Sequence, residues 1–174
     1  MKWHEGDMFE AAAAYERNAI GFTANSTVRA DKLVMGAGAA LAVRDKYPQA
    51  AADFGKLLSG TASRTISETE AEMADYHWLR TKVSDEKTPW IYAIQVKRGL
   101  DQKPSTHKQS WWALTEESLK AIASHLDAEP EVKLVMNCPL IGHGGHASDE
   151  AKVKAMVERI LGDRDVVVCT VKTT

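Results

Sequence analysis

The chain predicts an α/β fold in which a mostly parallel sheet is covered by helices on both faces. Three observations carry that prediction. Residues 91–96, 132–136 and 166–171 are short apolar runs rich in β-branched side chains, which read as buried strands. Between them lie segments with apolar residues spaced i, i+3, i+4 and i+7, the pattern of helices that bury one face. Two glycine-bearing turns each follow an apolar run and precede a helical pattern, and in such sheets ligands gather at the carboxyl ends of the strands.

Residues 19–23 read as a strand feeding a polar turn at Asn25, and a helix from 36 to about 47 follows. Pro48 stops it, because the residue before a proline is held out of the helical region. A second helix passes through residues 54–58. Residues 59–75, SGTASRTISETEAEMAD, show neither a period of two nor one of 3.6 and are expected to be irregular. Residues 76–83 and 91–96, joined across SDEKTP, read as a hairpin. In TEESLKAIASHL the residues Leu119, Ile122, Ala123 and Leu126 form one face, with Thr115 as the N-cap and acidic residues in the first turn. The last helix places Val153, Met156, Val157 and Ile160 on one face, begins after Ser148 and ends at Gly162.

With 174 residues and no compositional break, the chain is read as a single domain, 1–174, expected to be a monomer. Apolar residues at 44% and charged residues at 26% exclude a disordered or fibrous class. The net charge of -2 gives no electrostatic case for nucleic acid as the main partner, and the basic concentration between Lys97 and Lys108 also holds Asp101. No apolar run approaches the roughly 20 residues that span a bilayer, and MKWHEGDMFE has no signal-peptide core, so no membrane partner and a cytoplasmic location are expected. Cys138 and Cys169 each sit inside an apolar run and read as buried strand thiols rather than a disulfide or a metal pair. No metal site and no cofactor are expected.

The chemistry concentrates in the glycine turns. In NSTVRADKLVMGAGAAL, from Asn25, a polar turn, a Gly/Ala run and a helix start form one unit. Residues without bulky side chains let backbone N–H groups approach an anion, and the positive end of the helix dipole points at the same place. PLIGHGGHASDE, from Pro139, repeats the design with Gly142, Gly144 and Gly145. Either turn alone reads as an ordinary strand-to-helix connection. The pair suits a diphosphate, with one loop on each side.

GDMF near the start, FTANS after the first buried run, VMGAGAALAVRDKYP and PLIGHGGH occur in the order found in macro domains, and nearly the whole chain resembles that family. The VMGAGAA segment is similar to the subgroup of terminal ADP-ribose glycohydrolases and of antitoxins that reverse DNA ADP-ribosylation. TVRADKL resembles short bacterial and phage macro proteins. The resemblance implies a three-layer α/β/α sandwich with a mixed, mostly parallel central sheet, and ADP-ribose as ligand. Partners would then be ADP-ribose or an ADP-ribosylated protein or nucleic acid.

By the same resemblance, Asp7 beside Met8 would accept from the adenine amino group, and Asn25 would touch the distal ribose. Met35, Gly36, Ala37 and Gly38 would form the first phosphate loop, and Gly142, His143, Gly144, Gly145 and His146 the second. Lys97 aligns with the subgroup's lysine nucleophile, which attacks the anomeric carbon with help from an acidic residue in the second loop. Here His146 stands in place of that acid, and a histidine titrating near neutral pH can serve as acid or base. Lys97 alone also reads as a surface lysine at a strand end, and the two histidines as donors to phosphate or as solvated loop residues. Trp111 and Trp112 cannot share a helix face, so one is expected in the core, leaving the other to stack on a base. Three functions stay open: hydrolysis of an ADP-ribose linkage, non-catalytic reading of ADP-ribose, and phosphatase action on ADP-ribose 1″-phosphate.

Overall fold

A computed structural model describes residues 1–60, 66–100, 104–141 and 150–171. Their elements run β1 (Lys2–Glu5), α1 (Met8–Ala13), β2 (Ala19–Ala24), β3 (Val28–Arg29), β4 (Lys32–Leu33), α2 (Gly38–Lys46) and α3 (Ala50–Ser59). They continue with α4 (Glu68–Met73), β5 (Trp78–Lys82), β6 (Trp90–Gln95), α5 (Pro104–Ala128), β7 (Leu134–Asn137), α6 (Glu150–Leu161) and β8 (Val166–Thr170). Six strands form one sheet in the order β1-β8-β7-β2-β6-β5, and β3 and β4 form a separate hairpin. Every pairing in the large sheet is parallel except β5 with β6. The sheet is therefore mixed and mostly parallel, as expected.

The strict alternation of side chains along the strands builds two cores. Tyr92, Ile94, Leu134, Met136, Val166 and Val168 meet Leu119, Ile122, Val153 and Val157 of α5 and α6. Ile20, Phe22, Ile91, Ala93, Val135 and Val167 meet Met8, Val43 and Phe54 of α1, α2 and α3 on the other face. That is a three-layer α/β/α arrangement. Strands buried on both faces need no polar alternation, which is why β6, β7 and β8 read as continuous apolar runs. No helix among the described residues is long and apolar enough to cross a membrane.

Three expectations are corrected. Thr115 is not an N-cap: α5 begins at Pro104, and Thr115 lies fully buried inside it. A proline is pre-set for the first helical position, where its missing N–H costs nothing, and Trp111 extends the buried face upstream. Residues 59–75 are not wholly irregular, because α4 starts on a reciprocal cap. The Ser67 hydroxyl accepts from the Glu70 N–H at 3.2 Å, and the Glu70 carboxylate accepts from the Ser67 N–H at 3.1 Å. The segment between Asn25 and Gly36 is more than a turn. It folds into the β3–β4 hairpin, whose two-residue turn holds Ala30 at φ 49° and Asp31 at φ 60°. That turn rests on α3 at Gly55, where any Cβ would collide with the Asp31 carbonyl oxygen.

Candidate functional site

A cleft of about 610 Å³ opens at the carboxyl ends of β2, β6, β7 and β8, and the expected residues Asn25, Gly36, Ala37, Gly38 and Lys97 all line it. Residues that the sequence did not mark as candidates also line it, among them Thr23, Val34, Leu100, Asn137, Ile141 and Thr170.

Asn25 is held rigidly. Its Oδ1 accepts from the Thr27 N–H at 2.8 Å, and its Nδ2 donates to the Val34 carbonyl at 3.2 Å. The Tyr76 hydroxyl donates to the Asn25 carbonyl at 2.8 Å, and both the N–H and the hydroxyl of Ser26 donate to the Arg98 carbonyl at 2.9 Å. Tyr76 is itself fixed by Gln95, whose side-chain carbonyl accepts from the Tyr76 N–H at 2.8 Å. Among the described residues the second Nδ2 hydrogen of Asn25 meets no acceptor.

The glycine loop presents backbone to the same space. Gly36, Ala37 and Gly38 are exposed. A Cβ on Gly36 or Gly38 would meet nothing within 4 Å. Gly38 has φ 57°, which favours glycine. Gly36 has no such constraint, so neither conformation nor packing among the described residues explains its missing side chain. The α2 N-cap, Ala37, supplies no side-chain acceptor, so the first N–H groups of the helix face the cleft uncapped. Met35 is 1% exposed in the core below, which leaves only its backbone to contact a ligand.

Lys97 is half-buried, and that burial pushes its pKa down from the ordinary lysine value. Its Nζ lies 5.2 Å from the centroid of the Trp111 ring. Among the described residues no carboxylate pairs with it. Trp111 is the core tryptophan, and Trp112 packs partly buried against the same core without lining the cleft. Cys138, at the cleft edge, and Cys169 are buried, and burial pushes both thiols up to about 12, which leaves them un-ionised at neutral pH.

Asp7 caps α1, its Oδ1 accepting from the N–H groups of Phe9 at 2.8 Å and Glu10 at 3.0 Å. It does not line the cleft but stands beside it, because the Gly6 N–H donates to the carbonyl of cleft residue Thr170 at 2.8 Å. The Met8 side chain is buried against the core. Gly142, His143, Gly144, Gly145 and His146 lie outside the described residues.

A crevice at strand carboxyl ends, walled by a glycine-rich loop and holding a half-buried amine, marks an α/β protein of the class whose ligands gather at that end of the sheet. Comparison with solved structures narrows this. The chain superposes on the macrodomain of Thermus aquaticus DarG with a TM-score of 0.61 at 16% identity, covering 99% of this chain and 97% of that one. The macrodomain of Mycobacterium tuberculosis DarG gives 0.64 at 16% identity over 97% of this chain and 95% of that one. DarTG of Thermosipho africanus in complex with ADP-ribose gives 0.67 at 16% identity, with 99% of this chain matched to 42% of that one. No family model and no curated protein sequence matches the chain. The fold is that of a macro domain.

Proposed function

We propose that this protein binds ADP-ribose in the cleft and hydrolyses an ADP-ribose linkage. The observation that carries the reading is the pairing, across one cleft, of the small-residue loop Gly36–Gly38 with the half-buried Lys97, which has no carboxylate partner among the described residues. The uncapped N–H groups of α2 match a diphosphate, the remaining Nδ2 hydrogen of Asn25 matches a ribose hydroxyl, and the free oxygen of Asp7 matches the adenine amino group. Gly142 to His146, taken from the family resemblance, would close over the diphosphate. That the structure of Thermosipho africanus DarTG, 42% of which this chain matches, is a complex with ADP-ribose supports the ligand assignment.

In the reaction, the neutral Lys97 amine attacks the anomeric carbon of the distal ribose while the bond to the modified group breaks. The departing heteroatom gains a proton, for which His146 is the proposed donor. Water then displaces the lysine, releasing ADP-ribose and restoring the amine. A depressed lysine pKa raises the fraction of neutral amine at physiological pH and so favours this route.

A second reading, a non-catalytic ADP-ribose reader, is favoured by the absence of a carboxylate beside Lys97 among the described residues. Phosphatase action on ADP-ribose 1″-phosphate is the third. Calorimetry with ADP-ribose tests the shared claim, and absence of binding at millimolar ligand would reject all three. Incubation with ADP-ribosylated DNA, ADP-ribosylated protein and ADP-ribose 1″-phosphate, followed by chromatography, separates them. Lys97→Ala is expected to slow glycosidic hydrolysis about 10²- to 10³-fold while leaving ADP-ribose affinity within about threefold. Undiminished turnover in that variant excludes the lysine route.

A further inference from the structure

The sheet divides at its carboxyl end, and the division lies under the cleft. Pairing of β2 with β7 runs from Ala19↔Leu134 to Gly21↔Met136 and stops. On one side β2 stays with β6 as far as Ala24↔Gln95, and on the other β7 stays with β8 as far as Asn137↔Cys169. The Ala19 N–H donates to the Lys133 carbonyl, so N–H groups of the same parity on β2, including that of Thr23, point toward β7. Beyond Gly21 no backbone rung receives them.

Asn137 fills the fork. Its Oδ1 accepts from the Thr23 N–H at 2.9 Å, and its Nδ2 donates to the Thr23 hydroxyl oxygen at 3.0 Å, with a longer contact to the Cys138 carbonyl at 3.4 Å. A backbone N–H only donates, so the carbonyl end of the amide must face it and the NH₂ end must face the hydroxyl. A backbone rung would draw the strands to about 4.8 Å. The side-chain amide satisfies the same donor while holding the strands further apart, and the gap is the cleft floor. With one lone pair of its hydroxyl oxygen taken by Asn137, Thr23 has an O–H that meets no acceptor among the described residues, and Thr23 lines the cleft.

We propose that Thr23 is a ligand-contacting donor, directed at a phosphate or ribose oxygen, and that Asn137 is its positioning residue and the spacer that keeps the cleft floor open. This inference rests on ADP-ribose as the occupant of the cleft. Asn137 acts only through Thr23 and the β2 strand end that leads to Asn25.

Calorimetry with ADP-ribose on the full chain, its Thr23→Val, Thr23→Ser and Asn137→Leu variants and the Thr23→Val/Asn137→Leu double variant tests it, with melting curves alongside. Thr23→Val is expected to weaken binding about tenfold, the worth of one hydrogen bond, with an unchanged Tm. Thr23→Ser, which keeps the hydroxyl, should restore most of that loss. Asn137→Leu should weaken binding at least as much, and the double variant no more than Asn137→Leu alone. Affinity of Thr23→Val equal to that of the unaltered protein overturns the inference, as do losses that multiply in the double variant. Should Asn137→Leu fail to fold, the contrast between Thr23→Val and Thr23→Ser decides alone. Failure of the unaltered protein to bind ADP-ribose removes the ligand assignment and this inference with it, whereas binding that ignores Thr23→Val removes only this inference.

Discussion

Toward the amino ends of the parallel strands, Arg80 stacks 3.8 Å from the centroid of the Trp90 ring and donates to Glu129 at 2.6 Å and to the Tyr92 hydroxyl at 3.3 Å. His125 closes the group, with its Nε2 2.6 Å from the same Glu129 carboxylate and its ring 4.3 Å from that of Trp78. The hollow beside this cluster measures about 180 Å³. At the carboxyl ends the cleft is more than three times larger, and its charged group, Lys97, lies over an aromatic ring with no carboxylate partner among the described residues. Both ends mix aromatic and charged residues. At the amino end Arg80 and His125 share one carboxylate, Glu129, and each also lies against a ring, so the cluster satisfies itself and serves packing. At the carboxyl end the α2 N–H groups, one hydrogen of the Asn25 amide, the Thr23 hydroxyl hydrogen and Lys97 meet no acceptor side chain among the described residues. Incomplete satisfaction, not the mere presence of charge, separates a site from a structural cluster.

The contrast can be broken most forcefully at Gly36. Gly36→Val adds side-chain atoms where the chain itself offers no contact, so the Tm should hold within about 2 °C while ADP-ribose affinity falls roughly 100-fold, about 3 kcal/mol. Calorimetry showing unchanged affinity would remove the loop from the site. Arg80→Met should behave in the opposite way. Arg80 and Glu129 are only 22% and 32% exposed, and separating them should cost about 2 kcal/mol of stability, read as a fall of several degrees in Tm, with ADP-ribose affinity unaltered within twofold. A loss of binding in that variant would show that the two ends are coupled.

The smallest effect is expected at Lys97. Its folded pKa lies below that of the unfolded chain, so at neutral pH burial of the ammonium opposes folding. Lys97→Met should therefore stabilise the protein at pH 7, by about 0.5 kcal/mol. That gain should shrink as pH rises through the depressed folded value toward the ordinary lysine value, because in that window the unfolded chain still holds a proton that the folded chain has released, and rising pH disfavours it. Melts between pH 7 and 10 that run parallel for the two proteins would place Lys97 in ordinary solvent.

Much of this division was legible in the residues, for reasons that differ by element. The strands β6, β7 and β8 are covered on both faces, so their apolar runs stand out, and the faces of α5 and α6 repeat cleanly from Leu119 and from Val153. β1 escaped because it is an edge strand, whose Lys2 and Glu5 are exposed and whose register comes from β8. The first turns of α5 escaped because adjacent tryptophans carry no period and Thr115 with two glutamates imitates a helix start, although Pro104 was the true signal. Ser67 and Glu70, spaced as a reciprocal cap, were a readable sign of α4. Asn25, Lys97 and the Gly36–Gly38 loop were recoverable from motif order and are gathered into one cleft. Asn137 had only one sign, a lone amide closing the apolar run KLVM, and its partner on β2 depends on a strand order that local sequence does not contain.

The seat of the β3–β4 turn on Gly55 has a kinetic side. The hairpin carries Val34, which holds the Asn25 amide, and it is braced against α3 with no room for a methyl group between them. The wall that presents Asn25 is consequently ordered by folding itself, before any ligand arrives. Encounter at this wall then requires no ordering of the β3–β4 segment, so association there should follow the rate law of a preformed surface, and differences in affinity among variants of this segment should appear mainly as differences in residence time.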